Sequence, residues 1–378
     1  MEQDGNRPPR MSAQPMPHDT SADAEATALA MGDPATPLDP IDFFRTTDTH
    51  EAAASYTKFH ALRTAPATFI ATWARAANAG TLLWVVLPII TAGAFLFAQE
   101  QRLYPNRLVI LALGAMILLS GLNLIRSVAH QVDTQLPIGN LLQKSLPARV
   151  GAVLLAVGVV IALFAPRWIG PGNIGLGVLG IALAAVYLAI LFTLGAVPGQ
   201  ELLPAVALGP VLFFLALSTQ ITPVLSHGKQ IISGSHALSQ SEWLLALALA
   251  GLIFAAMIAA GLAHPKPTTD LSTRALLGEG SMRALFVVGL LIAYIGAIGA
   301  GLARGVPHAT VAVLLSLPMA VLPLTTILRA RTSAALQVVF PQMQRTVLWF
   351  GIWLVGGLIL GGAYLHLLTA LHGIINTK

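Results

Sequence analysis

The chain has 378 residues, of which 56% are hydrophobic and only 10% are charged. Soluble domains carry about 25% charged residues, so the composition places most of this chain in a lipid bilayer. There is no cysteine, which excludes disulfides, thiolate catalysis and cysteine-ligated metal sites. The net charge of +5 is modest, and nothing in the sequence suggests binding to nucleic acid.

The first part of the chain is polar. Residues 1–55 are rich in Pro, Ala, Asp and Thr and show no helical or strand period. This composition predicts a disordered cytoplasmic tail, which is either a plain linker or a docking segment for a partner. In residues 56–78, Phe59, Leu62 and Trp73 alternate with Lys58 and Arg63 in a pattern that predicts an amphipathic helix on the membrane surface.

Residues 79–372 form the predicted membrane domain. Nine apolar segments follow one another here, each close to the ~20 residues that a helix needs to cross a bilayer. Their approximate limits are 80–98, 106–126, 148–165, 173–195, 202–225, 243–263, 282–303, 310–328 and 347–370. We therefore predict an all-α integral membrane protein built as a nine-transmembrane-helix bundle. The short loop AVPGQE between the fourth and fifth segments leaves a re-entrant hairpin open as an alternative.

The basic residues predict the orientation of these spans. With the N-terminus in the cytoplasm, twelve Lys and Arg residues beyond the tail fall on the inner side and six on the outer side. This asymmetry follows the positive-inside rule. We expect an N-in, C-out protein, integral to the inner (cytoplasmic) membrane.

Two polar blocks stand out against the apolar background, and both lie on the predicted cytoplasmic side. In residues 121–134 the second segment runs into a polar loop, and in residues 263–279 the sixth segment does the same. We expect the two blocks to face each other at one end of the bundle and to form a substrate-binding site. Its candidate residues are Asn123, Arg126, His130, Asp133, Lys266, Asp270 and Arg274.

The first block resembles a motif of the UbiA-type intramembrane prenyltransferases. In the 1,4-dihydroxy-2-naphthoate branch this motif reads approximately N-D-x-x-D-x-x-x-G-V-D-T, and residues 123–134 here read NLIRSVAHQVDT. The matching positions are Asn123, Val132, Asp133 and Thr134. Leu124 and Ser127 stand where the first two aspartates belong. Looser similarity covers residues 73–370, and the second block offers Asp270 where the family has paired aspartates.

The resemblance implies nine helices around a lipid-open cavity, with Mg²⁺ between the two motifs clamping a prenyl diphosphate. Asp133 and Asp270 are then the metal ligands, although one aspartate in each loop is a poor two-metal site. The blocks are otherwise basic, so Arg and Lys could bind phosphate oxygens directly. Alternatively, these cations only anchor helix ends at the membrane surface. Asn123 is open to two interpretations, a ligand-orienting group or a helix-to-helix hydrogen bond.

Three functions follow as hypotheses. The first is a divergent prenyltransferase that moves an isoprenoid chain from its diphosphate onto an aromatic or quinone-precursor acceptor. The second is a non-catalytic relative that binds an isoprenoid quinone, a pigment or a membrane lipid, or serves as a subunit beside membrane-protein partners. The third is a transporter, which ranks last because no predicted span carries an acidic residue in its middle.

The glycine and proline residues within the spans allow predictions about helix packing and helix kinks. Glycine-rich runs at 172–180 and 356–362 predict close helix packing inside one bundle, with a dimer interface as the alternative. Pro318 and Pro323 should kink the eighth span and free backbone carbonyls that a neighbour must satisfy.

Overall fold

The computed structural model describes nine stretches of the chain: residues 79–99, 103–129, 146–169, 174–193, 199–221, 239–263, 273–303, 306–330 and 332–376. Within these stretches the chain is helical and contains no β-strand. The predicted tail (1–55) and the predicted surface helix (56–78) lie outside the described residues.

The helices are numbered here in chain order. The first four are α1 (Leu82–Ala98), α2 (Pro105–Ala129), α3 (Leu146–Ile169) and α4 (Ile174–Thr193). Helix α5 comprises Leu202–Val206, a π-helical turn Ala207–Val211 and Leu212–Ile221. Next come α6 (Gln240–Ala263) and α7 (Thr273–Leu302), and then α8, in which a 3₁₀ part His308–Ser316 precedes Leu317–Arg329. A short α9 (Ser333–Gln337) leads into α10 (Val339–Asn376).

Six helices in the described residues are long and apolar enough to cross a membrane, and three shorter apolar helices accompany them. The prediction of an all-helical membrane protein is confirmed, because these apolar helices satisfy their backbone groups internally, as a bilayer requires. The count of nine spans and the N-in orientation stay predictions. Helix α5 is among the six, with the π-helical turn at Pro210.

The first and last long helices of the chain, α1 and α10, run parallel to each other. At one end Gly80 lies against the side chain of Gln344, and at the other a ring nitrogen of His366 lies 3.0 Å from the carbonyl oxygen of Phe97. In a protein whose nine spans alternate in direction, the first and the last span are parallel, as α1 and α10 are here. Helix α10 has 38 residues, so it is about 57 Å long and extends past the predicted span at both ends. Hydropathy marks only the apolar part of a helix, whereas its hydrogen bonds continue beyond.

Two antiparallel helix pairs, α2–α3 and α6–α7, flank the two polar blocks. Each pair is joined by glycines that face each other. A Cβ on Gly121 would lie 2.7 Å from the carbonyl oxygen of Gly151, and a Cβ on Gly251 would lie 2.7 Å from that of Gly289. Only glycine permits so close an approach of two backbones. These contacts fix the position of the two helices of each pair along each other, and with it the position of their polar ends.

The two glycine-rich runs behave differently. In the run 356–362, Gly357 and Gly361 pack against residues at the start of α8, and Gly362 packs against Ala98 of α1. The prediction of tight packing is confirmed for these three glycines, whereas no described residue lies within 4 Å of a Cβ added to Gly356. In the run 172–180 the prediction is not met by Gly175 and Gly177, since no described residue lies within 4 Å of a Cβ added to either of them.

One part of the proline prediction is confirmed at α8, the freed carbonyl that a neighbour satisfies, and the kink stays a prediction. Pro318 lies in the first turn of the α-helical part, where a missing N–H costs least, and the 3₁₀ part ends just before it. Pro323 lies inside the helix and has no N–H to donate to the carbonyl oxygen of Met319. The hydroxyl of Thr346 on α10 donates to that oxygen instead, at 2.8 Å. A neighbouring helix therefore satisfies the carbonyl that the proline frees.

Candidate functional site

The described parts of the two polar blocks, residues 121–129 and 273–279, lie at one end of the bundle, which we call the motif end. Three contacts define it. Asn123 near the end of α2 meets Thr81 before α1, and Arg283 of α7 meets Leu328 at the end of α8. Thr273 at the start of α7 meets Glu201 at the start of α5. The helix ends next to the two blocks thus lie at the same end of the bundle.

Asn123 links two helices. Its side-chain nitrogen Nδ2 donates a hydrogen bond of 2.8 Å to Oγ1 of Thr81. Thr81 is buried and Asn123 is half-buried. Of the two interpretations of Asn123, the helix-to-helix hydrogen bond is present in the structure. Its binding of a substrate stays a prediction.

Arg126 lies three residues after Asn123 in α2, so the two side chains are neighbours on the surface of the helix. Its guanidinium carbon is 6.0 Å from the centre of the Tyr187 ring on α4, within the range of a cation–π contact. The side chain is half-buried. A guanidinium held at the face of an aromatic ring keeps hydrogen-bond donors at its edge, where an anionic group could be bound.

Glu201 is a buried carboxylate that the sequence analysis did not single out. The hydroxyl of Thr273 donates to its Oε2 at 2.7 Å and accepts from the backbone N–H of Gly199 at 2.9 Å. Glu201 is 6% exposed and Thr273 is 3% exposed. This network fastens the turn before α5 to the first residue of α7. A glutamate in the loop AVPGQE, close to an apolar segment, was the only sequence signal for it.

Arg274 is part of a cluster that covers helix ends. Its Nη1 donates to the carbonyl oxygen of Leu262 near the end of α6, at 3.2 Å, and its Nη2 lies 3.3 Å from Oε2 of Glu279. Arg283 also pairs with Glu279 and donates to the carbonyl oxygen of Ala330 at 2.6 Å, just after α8. Cations at helix C-termini satisfy exposed carbonyls and oppose the negative end of the helix dipole. These contacts agree with the interpretation of Arg274 as a helix-end anchor.

The kink at Gly278 makes this cluster possible. Its φ of +76° belongs to the left-handed region that glycine adopts without strain. The first turn of α7, which carries Arg274, is therefore separated from the part that carries Glu279 and Arg283. One carboxylate can then meet both guanidinium groups.

The remaining candidate residues, His130, Asp133, Lys266 and Asp270, lie outside the described residues. Their roles, including the metal-binding role of Asp133 and Asp270, stay predictions. Within the described stretches no group of three or more His, Asp or Glu residues could hold a metal ion. Glu201 and Glu279 bind side chains of the protein itself, so the described residues alone do not provide the ligands of a Mg²⁺ site.

Among the described residues, three buried side-chain atoms have no hydrogen-bond partner: Nε1 of Trp84, Nε of Arg274 and Oε1 of Gln342. Trp84 lies in the first turn of α1, is 3% exposed and packs edge-on against Phe340 of α10, with ring centroids 6.2 Å apart. Sequence reasoning missed it, because an aromatic residue in an apolar segment looks like ordinary core.

Comparison with known proteins gave structural likenesses only. No protein-family model matches the chain, and no curated protein matches it. The structure is similar to the apo structure of a UbiA homologue from Aeropyrum pernix K1, with 18% identity, a TM-score of 0.49, and coverage of 70% of this chain and 96% of that one. It is also similar to a structure described for digeranylgeranylglyceryl phosphate synthase, with 13% identity, a TM-score of 0.48, and coverage of 77% and 98%. The UbiA-type resemblance recurs here, whereas the 1,4-dihydroxy-2-naphthoate branch stays a prediction.

Proposed function

We propose that the protein handles an isoprenoid lipid, whose chain lies among the apolar helices and whose polar head lies at the motif end. As a divergent prenyltransferase it would transfer a prenyl chain from a prenyl diphosphate to an aromatic or quinone-precursor acceptor. The observation that supports the proposal is that the helix ends next to the two polar blocks contact one another. Asn123, Arg126 and Arg274 lie at these helix ends.

The physical basis is the division of the molecule into two environments. The helices expose large apolar side chains along their length, including Val109 of α2, Leu291 of α7 and Leu360 of α10. Such surfaces suit lipid tails. The motif end instead gathers amide, hydroxyl, carboxylate and guanidinium groups. A ligand with a long apolar chain and a polar head matches both environments at once.

The chemistry of transfer depends on the departure of a diphosphate, which carries about three negative charges. Mg²⁺, held by Asp133 and Asp270, would supply the neutralising charge when bound. Arg126, whose guanidinium carbon lies 6.0 Å from the centre of the Tyr187 ring, is the cation of the first block that we propose binds phosphate oxygens. The role of the chain's own residues is thus to orient the head group.

A non-catalytic relative is the second candidate. It would bind a quinone, pigment or lipid, or serve as a subunit beside membrane-protein partners. One observation favours it: the described carboxylates of the motif end, Glu201 and Glu279, are engaged by Thr273 and by two arginines. Carboxylates used in this way hold the fold together and contribute little to a metal site.

Purified protein in lipid, given a labelled long-chain prenyl diphosphate with dihydroxynaphthoate or hydroxybenzoate, separates the two candidates. Product that disappears with a chelator supports metal-dependent transfer, and it should also disappear in Asp133→Asn but not in the control Asp39→Asn of the tail. Product that survives the chelator supports direct binding of the diphosphate by cations. Saturable retention of the lipid without product supports the non-catalytic candidate. Neither product nor retention contradicts both.

A further inference from the structure

Two arginines lie on helix surfaces that face the bilayer. Arg329 is the last residue of α8, Arg345 lies in the second turn of α10, and both are exposed. The side chains near them on the same helices are large, apolar and exposed: Leu322, Leu328, Leu348 and Trp349. An arginine on such a surface keeps its stem along the apolar side chains and its charged head at the membrane surface.

Both arginines belong to the motif end. Arg345 directly follows Gln344, whose side chain lies against Gly80 just before α1. Arg283 donates to the carbonyl groups of the residues on both sides of Arg329. The two cations therefore lie where the helices reach the membrane surface.

Helices α8 and α10 are antiparallel neighbours, joined by the hydrogen bond from Thr346 to the carbonyl oxygen of Met319. Arg345 is next to Thr346, and Arg329 lies about 15 Å beyond Met319 along the axis of α8. Side chains in a helix lean toward its N-terminus. Arg329 therefore leans back along α8 and Arg345 leans toward the motif end, so the two long side chains approach each other.

Neither guanidinium group is paired with a described residue. The nearby carboxylate of Glu279 is already bound by Arg274 and Arg283. The chain carries no Asp or Glu after Glu279, so helices α8 to α10 hold no negative side chain of their own. They present Arg329 and Arg345 to the membrane surface without a counter-charge.

A third polar side chain on α10, Gln342, extends this surface. Its Oε1 is buried and has no hydrogen-bond partner among the described residues. The two other such atoms belong to Trp84, which is 3% exposed, and to Arg274, whose side chain is 9% exposed, whereas Gln342 is only half-buried. Gln342 lies three residues before Arg345, and Trp349 lies four residues after it. The three side chains therefore share one face of α10.

We propose that Arg329, Gln342 and Arg345 bind the headgroup of an anionic phospholipid at the outer surface of α8 and α10. The guanidinium groups donate to its phosphate oxygens, and the amide of Gln342 both donates to and accepts from the headgroup. Trp349 is 40% exposed and lies one turn deeper, at the level where indole rings border the headgroups. A phospholipid fits this surface because the faces beyond the two arginines are apolar and suit its acyl chains. Anionic lipids enrich the cytoplasmic leaflet, the side on which these arginines are predicted to lie.

The experiment measures lipid binding by the full chain in neutral detergent, using native mass spectrometry with phosphatidylglycerol, phosphatidylcholine and inorganic phosphate. It compares wild type, Arg345→Gln, Gln342→Leu and the control Arg149→Gln, which removes the same charge from an exposed position at the start of α3. We expect wild type to bind phosphatidylglycerol saturably and more tightly than phosphatidylcholine. Arg345→Gln should weaken this binding about tenfold and Gln342→Leu about threefold, while Arg149→Gln leaves it unchanged. Without lipid, Arg345→Gln and Gln342→Leu should unfold no earlier than wild type, because neither loses a described partner.

Other outcomes overturn the proposal in different ways. Equal weakening by Arg345→Gln and Arg149→Gln would mean general attraction to the positive end of the protein. Unchanged binding by Gln342→Leu would remove the amide and leave no defined site. Equal affinity for phosphatidylcholine would show that the lipid's charge is not recognised, and displacement of the lipid by inorganic phosphate would replace the phospholipid with a free anion. Earlier unfolding of lipid-free Arg345→Gln would assign the arginine to a partner within the protein.

Discussion

Single side chains at the motif end divide into those that hold helices together and those that remain available to a ligand. Glu201, Thr273, Arg274 and Glu279 belong to the first group, since each has a partner elsewhere in the chain. Trp84 belongs to the second, because no described residue accepts a hydrogen bond from its N–H. This division matters for mutagenesis, since loss of activity after changing a residue of the first group need not mean contact with substrate.

The hydroxyl of Thr273 provides the sharpest test of the first group. Thr273→Val keeps the shape but leaves Oε2 of Glu201 and the N–H of Gly199 without their partner. We expect a loss of about 1–3 kcal/mol in the free energy of unfolding, measured by denaturant titration in detergent. Thr273→Ser retains the hydroxyl and should recover most of that loss. Equal stability of the Val and Ser variants would contradict the network.

At the scale of whole helices, irregular backbone is compensated by a neighbour. Helix α8 shows this most directly. Pro323 has no N–H to donate to the carbonyl oxygen of Met319, and the hydroxyl of Thr346 on α10 donates to that oxygen instead. The sequence predicted the freed carbonyl from the proline alone. It could not name Thr346, because the partner comes from a helix that is remote in the chain.

Thr346→Val should therefore destabilise the protein by about 1–3 kcal/mol, since it leaves the carbonyl of the half-buried Met319 without the hydrogen bond from Thr346. Thermal or denaturant unfolding measures the loss, and Thr346→Ser is the matched control. The double variant Thr346→Val with Pro323→Ala restores an N–H for Met319 within α8. The loss on Thr346→Val should shrink in that background; an unchanged loss would mean that the hydroxyl acts elsewhere.

Close glycine contacts between α6 and α7 predict a second effect at this scale. Gly251→Ala places a methyl group 2.7 Å from the carbonyl oxygen of Gly289, so the two backbones must separate. We expect a loss of about 1–3 kcal/mol in the free energy of unfolding. Gly177→Ala in α4 is the control, because nothing lies within 4 Å of its added Cβ. If both substitutions were neutral, the glycine contact would not determine the packing of this pair.

For the molecule as a whole, the orientation in the membrane is open to direct test. The chain has no cysteine, so single cysteines can be introduced without background. We expect Gly139→Cys and Asp270→Cys to react with a membrane-impermeant maleimide only from the cytoplasmic side, and Ser235→Cys only from the outer side. The reason is the excess of Lys and Arg on the predicted inner loops. Labelling of the first two from outside would reverse the topology.

The sequence by itself determined the class of the protein, because low charge and long apolar segments leave a helical bundle in lipid as the stable arrangement. It also located the ends of α2 and α6, where polar residues interrupt the apolar runs. Only the tertiary structure decided which polar groups bind each other: Glu201 binds Thr273, and Arg274 binds the end of α6. These pairings join residues far apart in the chain, and composition and spacing carry no information about which distant helix will supply a partner.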